Sequence, residues 1–191
     1  PRGPLRYIPP MALRSTIYKA ALSIADMDRG HYSDHELTVA LHPSETEERM
    51  MVRLLAFALF ADEGLAFGRG LSTDDEPDLW QRDDTGAIVH WIDVGWPDER
   101  RIRRACGRAE RVSVLAYGGA KTEVWWSQNA SALARNANLD VASVPRDASA
   151  ALAGLARRSM RLSVSIQDGR IWFGDDSGGV DFELQRLKPA A

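Results

Sequence analysis

Two aspartates carry the sharpest chemical signal in the chain. Asp78-Leu79-Trp80-Gln81-Arg82 reads as one strand, Asp83-Asp84-Thr85-Gly86 is turn chemistry, and Ala87 to Val94 reads as a second strand. Centring a hairpin on that turn sets Asp78 nearly opposite Asp93, which is embedded between Trp91 and Val94. Two carboxylates at one level repel each other and carry a heavy desolvation cost unless a cation lies between them. Oxygen-only ligation of this kind suits Mg²⁺ or Mn²⁺, which keep several waters and take one or two carboxylates together with phosphate oxygens. On the pairing alone the alternative stays open that Asp78 is a turn or strand-start acid and Asp93 a strand-end acid in solvent.

Glu48 is the next candidate. Projected as a helix, Met50, Met51, Val52, Leu54, Leu55, Ala58 and Leu59 fill a wide apolar sector, and Glu48 projects into it. A glutamate there needs a partner and could complete a three-carboxylate site, although the first turn of a helix attracts acids to its dipole in any case. Gln128 falls on the apolar side of its own helix, three residues after Trp125 and four after Val124, either as a member of the site or as a satisfied boundary amide. Arg100, Arg104 and Arg108 recur every fourth residue, with Arg111 just beyond. Such a stripe can grip phosphates bidentately or can simply be a solvated face. His31 and His35 have i,i+4 spacing but lie in a loop-like stretch without a third ligand, so zinc is not expected.

These groups need a fold that positions them. The chain has 191 residues, 45% hydrophobic and 27% charged, the balance of an ordinary globular domain. Lys+Arg 24 against Asp+Glu 27 gives a net charge of −3, which excludes a strongly basic nucleic-acid-coating protein. Only three of the cations are lysines, Lys19, Lys121 and Lys188. The single cysteine, Cys106, fits a reducing cytoplasm, and the apolar run Met50–Phe60 is far shorter than the ~20 residues a membrane span requires. Residues 1–10 read as an extension ahead of Met11, leaving 11–191 as a single domain.

A leading hairpin is expected from runs at 13–25 and 36–41, separated by a polar stretch from Asp26 to Asp34. His42-Pro43 closes it, and Ser44 should start a helix with a capping box. A short strand Leu65–Leu71, the Asp78–Val94 hairpin, a helix over 97–109 and a strand over 112–117 follow. The last crossover is a βαβ unit, so its two strands should be parallel. The core therefore reads αβββαβ, a mixed α+β class with a mixed central sheet. Beyond it come a helix over 124–137, a strand Leu139–Val144, a helix over 147–158, and strands at 161–167, 170–173 and 180–187.

Several of these residues occur in multi-residue runs that resemble the YaeQ family of small bacterial proteins. They are Thr16-Ile17-Tyr18-Lys19, His42-Pro43-Ser44-Glu45-Thr46 followed by Glu48-Arg49-Met50-Met51, Asp74-Asp75-Glu76-Pro77, Pro97 to Ile102, Trp125-Trp126, and Ile166-Gln167-Asp168-Gly169. The resemblance runs from Met11 to the C-terminus. It implies a restriction-endonuclease-like fold of the PD-(D/E)xK superfamily, and with it a metal-dependent phosphodiesterase acting on DNA or RNA. The superfamily motif would fall on Pro77-Asp78 and Asp93-Val94-Gly95, with Asp78 and Asp93 holding Mg²⁺ or Mn²⁺. The motif's lysine is replaced by Gly95. A cation from Lys19, Lys121 or an arginine of the 100–104 turn would have to stand in for it. The alternative is a non-catalytic module that keeps the fold and binds nucleic acid or a protein partner.

Overall fold

The computed structural model describes residues 15–69 and 75–190. The expected extension at 1–10, and Leu71 and Asp74 at the ends of two expected segments, lie outside the described residues. β1 (Thr16–Asp26) and β2 (His31–Leu41) form the leading hairpin, in antiparallel register from Thr16↔Leu41 to Asp26↔His31. The polar stretch expected as a loop shrinks to residues 27–30, because Gly30 turns the chain at φ +64°. His31 to His35 therefore belong to a strand.

After His42-Pro43 the chain makes one further turn, with the Glu45 N–H on the His42 carbonyl at 2.8 Å. α1 (Glu47–Phe60) starts only then. Its cap is Thr46, whose hydroxyl accepts the Arg49 N–H at 3.2 Å, and not Ser44, whose hydroxyl hydrogen-bonds His42 Nδ1 at 2.7 Å. Every residue from Met50 to Ala58 is buried, wider than the sector its periodicity suggests. The reason is placement: α1 packs against β2 on one side and against the next sheet on the other, and a helix covered on both sides is apolar nearly all round.

The order α1, β3 (Leu65–Phe67), β4 (Leu79–Arg82), β5 (Ile88–Val94), α2 (Glu99–Cys106), β6 (Ala109–Tyr117) is the expected αβββαβ. α3 (Ala120–Leu133), β7 (Leu139–Val144), α4 (Arg146–Gly154), β8 (Ser159–Gln167), β9 (Arg170–Asp175), β10 (Gly178–Glu183) and β11 (Gln185–Lys188) complete it. The strands form two mixed sheets, β10-β9-β8-β1-β2 and β11-β7-β6-β5-β4-β3. β5, β6 and β7 are parallel, as the crossover logic requires. α2 and α3 cover the outer face of this sheet through Ile102, Ala105, Trp125 and Leu133, whereas α4 lies on the inner face against α1.

Two boundaries move for local reasons. α2 stops at Cys106 because Gly107 caps it, which gives Ala109 to the strand, and α3 starts four residues early at the Gly118-Gly119 turn. The expected last strand, 180–187, is two strands in different sheets: β10 pairs with β9, and past Leu184 β11 pairs with β7. No helix among the described residues is long and apolar enough to cross a membrane. Leu54, fully buried in the layer between the sheets, tests this arrangement: Leu54→Ala is expected to lower the unfolding free energy by about 2–5 kcal/mol in urea titration.

Candidate functional site

The register Leu79↔Ile92 continues to set Asp78 beside Asp93 at the carboxyl end of β5, as the hairpin spacing requires. Both side chains belong to buried residues, 4% and 2% exposed. Each is met by an arginine from the first turns of a different helix. Arg49 of α1 donates through Nη2 to both oxygens of Asp78 at 2.7 and 2.8 Å, and the Val94 N–H adds a bond to Oδ2 at 2.7 Å. Arg101 of α2 grips Asp93 bidentately, Nε to Oδ2 at 2.9 Å and Nη2 to Oδ1 at 2.7 Å, and also donates to the Glu76 carbonyl at 2.7 Å.

The network extends behind Asp78. Arg49 Nη1 donates to Glu45 Oε1 at 2.9 Å, and Arg53 holds both oxygens of Glu45 at 2.8 Å and the Ala40 carbonyl at 2.8 Å. Three buried acids are thus matched by three guanidiniums. Burial works against the charge of Arg49, but Asp78 and Glu45 outweigh it and raise its pKa. Burial, assisted by the charge of Asp78, pushes the Asp93 carboxyl up even though Arg101 pulls it down.

This donor set does not fit a divalent ion as arranged. Each oxygen of Asp78 and Asp93 already accepts from a guanidinium, so an ion would have to displace both arginines and settle beside their charges. No group of three or more His, Cys, Asp or Glu among the described residues is placed to hold a metal. Glu48 does not complete the set: half-buried, it accepts the Ser149 hydroxyl at 2.7 Å and ties α1 to α4.

Gln128 is a correction. It is exposed, because the buried stripe of α3 is Thr122, Trp125 and Leu133, and Val124, which seemed to extend the apolar side, is itself 57% exposed. The cation at Asp93 is Arg101, one of the 100–104 arginines. Lys121 instead lies 3.7 Å from the Trp96 ring centroid, and Lys19 is exposed on β1.

The arginine stripe is partly engaged. Arg104 donates to Asp75 at 3.1 Å, Arg108 stands 3.9 Å from the same oxygen, and Arg100 is exposed. Arg100, Arg101 and Arg104, with Asp98, surround a depression of about 170 Å³ at the start of α2.

Sequence spacing gave no warning of a buried His90–Ser113 pair joined across β5 and β6, Nε2 to Oγ at 2.8 Å. The only signal was a histidine inside an apolar strand. Arg111 Nη2 lies 3.2 Å from Nδ1, and arginine can only donate, so the network assigns the proton to Nε2, which donates to Ser113. That tautomer cannot take a proton from the serine, so the pair is not an activated nucleophile. Burial, then Arg111, hold His90 down to about 4. His31 and His35 both place Nε2 2.9 Å from Ser33 Oγ, on β2.

The fold and site together define a mixed α+β protein whose paired acids are held by arginines from two helices. A family model described as YaeQ protein matches residues 11–184, and the chain belongs to that family. It is 47% identical over 174 residues to the uncharacterised YaeQ protein of Escherichia coli (strain K12), covering 91% of this chain and 96% of that one. The Salmonella typhi YaeQ protein is 48% identical over 174 residues with the same coverage, 91% and 96%. The crystal structure of YaeQ from Xanthomonas axonopodis pv. citri superposes with a TM-score of 0.88 at 53% identity, over 91% of this chain and 98% of that one. That from Pseudomonas syringae gives 0.87 at 44%, over 92% and 97%.

Two outcomes test this electrostatic reading. Arg49→Met leaves the Asp78 carboxylate buried without its main partner and is expected to cost about 3–5 kcal/mol, whereas adding Asp78→Leu should restore much of the loss in urea unfolding. For His90 the sign follows from its lowered pKa: the unfolded chain takes a proton near the ordinary 6.5 and the folded chain only near about 4. The folded state therefore loses stability, by about 3 kcal/mol, as pH falls through that window. His90→Gln should flatten that part of the pH–stability curve, and an unchanged slope would assign the loss to other groups.

Proposed function

We propose that this chain is a non-catalytic module that grips the phosphate backbone of nucleic acid on the frame of a PD-(D/E)xK-type fold. One contrast carries the reading: Asp78 and Asp93 are bound up by Arg49 and Arg101, while the exposed Arg100 and Arg104 line, beside Arg101 and the capping Asp98, a depression at the start of α2. Guanidinium groups suit a phosphate, and Arg108 extends the same face. The single cysteine, Cys106, is compatible with work in a reducing compartment such as the cytoplasm. The αβββαβ order supports the superfamily resemblance without requiring its chemistry.

A metal-dependent phosphodiesterase is the second reading. It is favoured by the approach of Asp78 to Asp93, close enough for one charge to raise the other's pKa, and it requires Mg²⁺ or Mn²⁺ to expel the arginines. Fluorescence anisotropy with single- and double-stranded DNA and RNA across a salt series separates the two. Binding is expected, and the triple change of Arg100, Arg104 and Arg108 to Ala should weaken it and flatten the log K against log salt slope by ~2.7 at most. Absence of binding to every form at low salt would sink the proposal. Cleavage that needs Mg²⁺ or Mn²⁺ and disappears in Asp93→Ala would establish the phosphodiesterase instead.

A further inference from the structure

A second cavity lies elsewhere on the same sheet, where the chain leaves β6 and β7 in opposite directions. From β6 it turns through Gly118-Gly119 into α3 on the outer face, and from β7 it turns through Pro145 into α4 on the inner face. In parallel sheets the crevice outside the carboxyl ends of two such strands is left open by the diverging helices. Here it is a cavity of about 390 Å³, within the ~300–1,000 Å³ range of small-molecule sites.

Its walls have a consistent chemistry. The starts of α3 and α4 both border it, and neither has a side-chain cap, so two sets of helix-start N–H groups lack the usual hydroxyl or carboxylate partner. Arg146 lines it too, its stem packed on Gly119 so closely that a Cβ there would come within 3.2 Å of the arginine's Cβ. On the floor Ser143 is only 6% exposed, and its hydroxyl reaches only the Val144 carbonyl at 3.5 Å, outside the range of an effective O–H···O bond. A hydroxyl held by so long a bond is readily turned toward a stronger acceptor. Trp126 adds aromatic surface to the lining, and Glu123 a carboxylate acceptor.

We propose that this crevice is a binding site for a nucleoside monophosphate. The phosphate meets Arg146 and the helix-start N–H groups, Ser143 donates to it from the floor, the base lies against Trp126, and Glu123 accepts from the ribose hydroxyls. The site is independent of the arginine face on α2.

Calorimetric titration of the full chain with AMP, adenosine and inorganic phosphate separately provides the test, with thermal melts confirming that each variant is folded. AMP is expected to bind saturably and at least tenfold tighter than either fragment. Arg146→Ala and Ser143→Ala should each weaken AMP at least fivefold, with Arg161→Ala, on β8 of the other sheet, leaving it unchanged. The proposal is overturned if AMP shows no binding at 10 mM, if phosphate alone binds as tightly as AMP, or if folded Arg146→Ala and Ser143→Ala bind AMP like the parent chain.

Discussion

The bond between Arg49 and Asp78 is the constraint on which the arrangement of this protein turns. It ties the first turn of the helix between the sheets to the start of β4, and the same carboxylate takes the N–H of Val94 at the end of β5. One buried acid thereby fixes three elements relative to one another. The interaction works because it is not alone: Glu45 and Arg53 continue the alternation of sign behind Arg49, so charges that would be costly singly each have an opposite in hydrogen-bond contact. Truncating one member leaves the others exposed to the low dielectric around them.

That balance also separates shape from chemistry. Two carboxylates this close invite a cation between them, and here the protons of two guanidiniums already meet every one of their oxygens. Arginine makes this durable in a way lysine does not, because it stays protonated and spans both carboxylate oxygens at once. Further along α2 the arginines are more exposed, and among the described residues Arg104 and Arg108 meet only the exposed Asp75.

Much of this was legible in the residues. The Asp83–Gly86 turn, centred between two strand-like runs, placed Asp78 beside Asp93, and the crossover through 97–109 required parallel strands; both follow from turn chemistry and chain geometry. What escaped was non-local. Nothing in the spacing of Arg49 and Arg101 says that they reach Asp78 and Asp93, since those contacts join residues from separate helices and strands. Glu48 looked buried because its helix is apolar, but its partner, Ser149, lies 101 positions along the chain. Gln128 was misplaced by trusting Val124, an apolar residue that happens to face water. The strand change at Leu184 left no mark because both halves have strand composition.

The pairing of β1 with β8 has a kinetic side. Lys19 lies opposite Ser159, and that parallel ladder runs through to Asp26 and Ile166. The leading hairpin can zip locally, but the other edge of β1 is completed only when β8, eleven elements later, returns to it. Until that long loop closes, a row of backbone donors and acceptors stands open beside a forming apolar face. Much of the entropy of closure falls on that pairing, so the open strand edge is the surface most exposed to mispairing before the native state is reached.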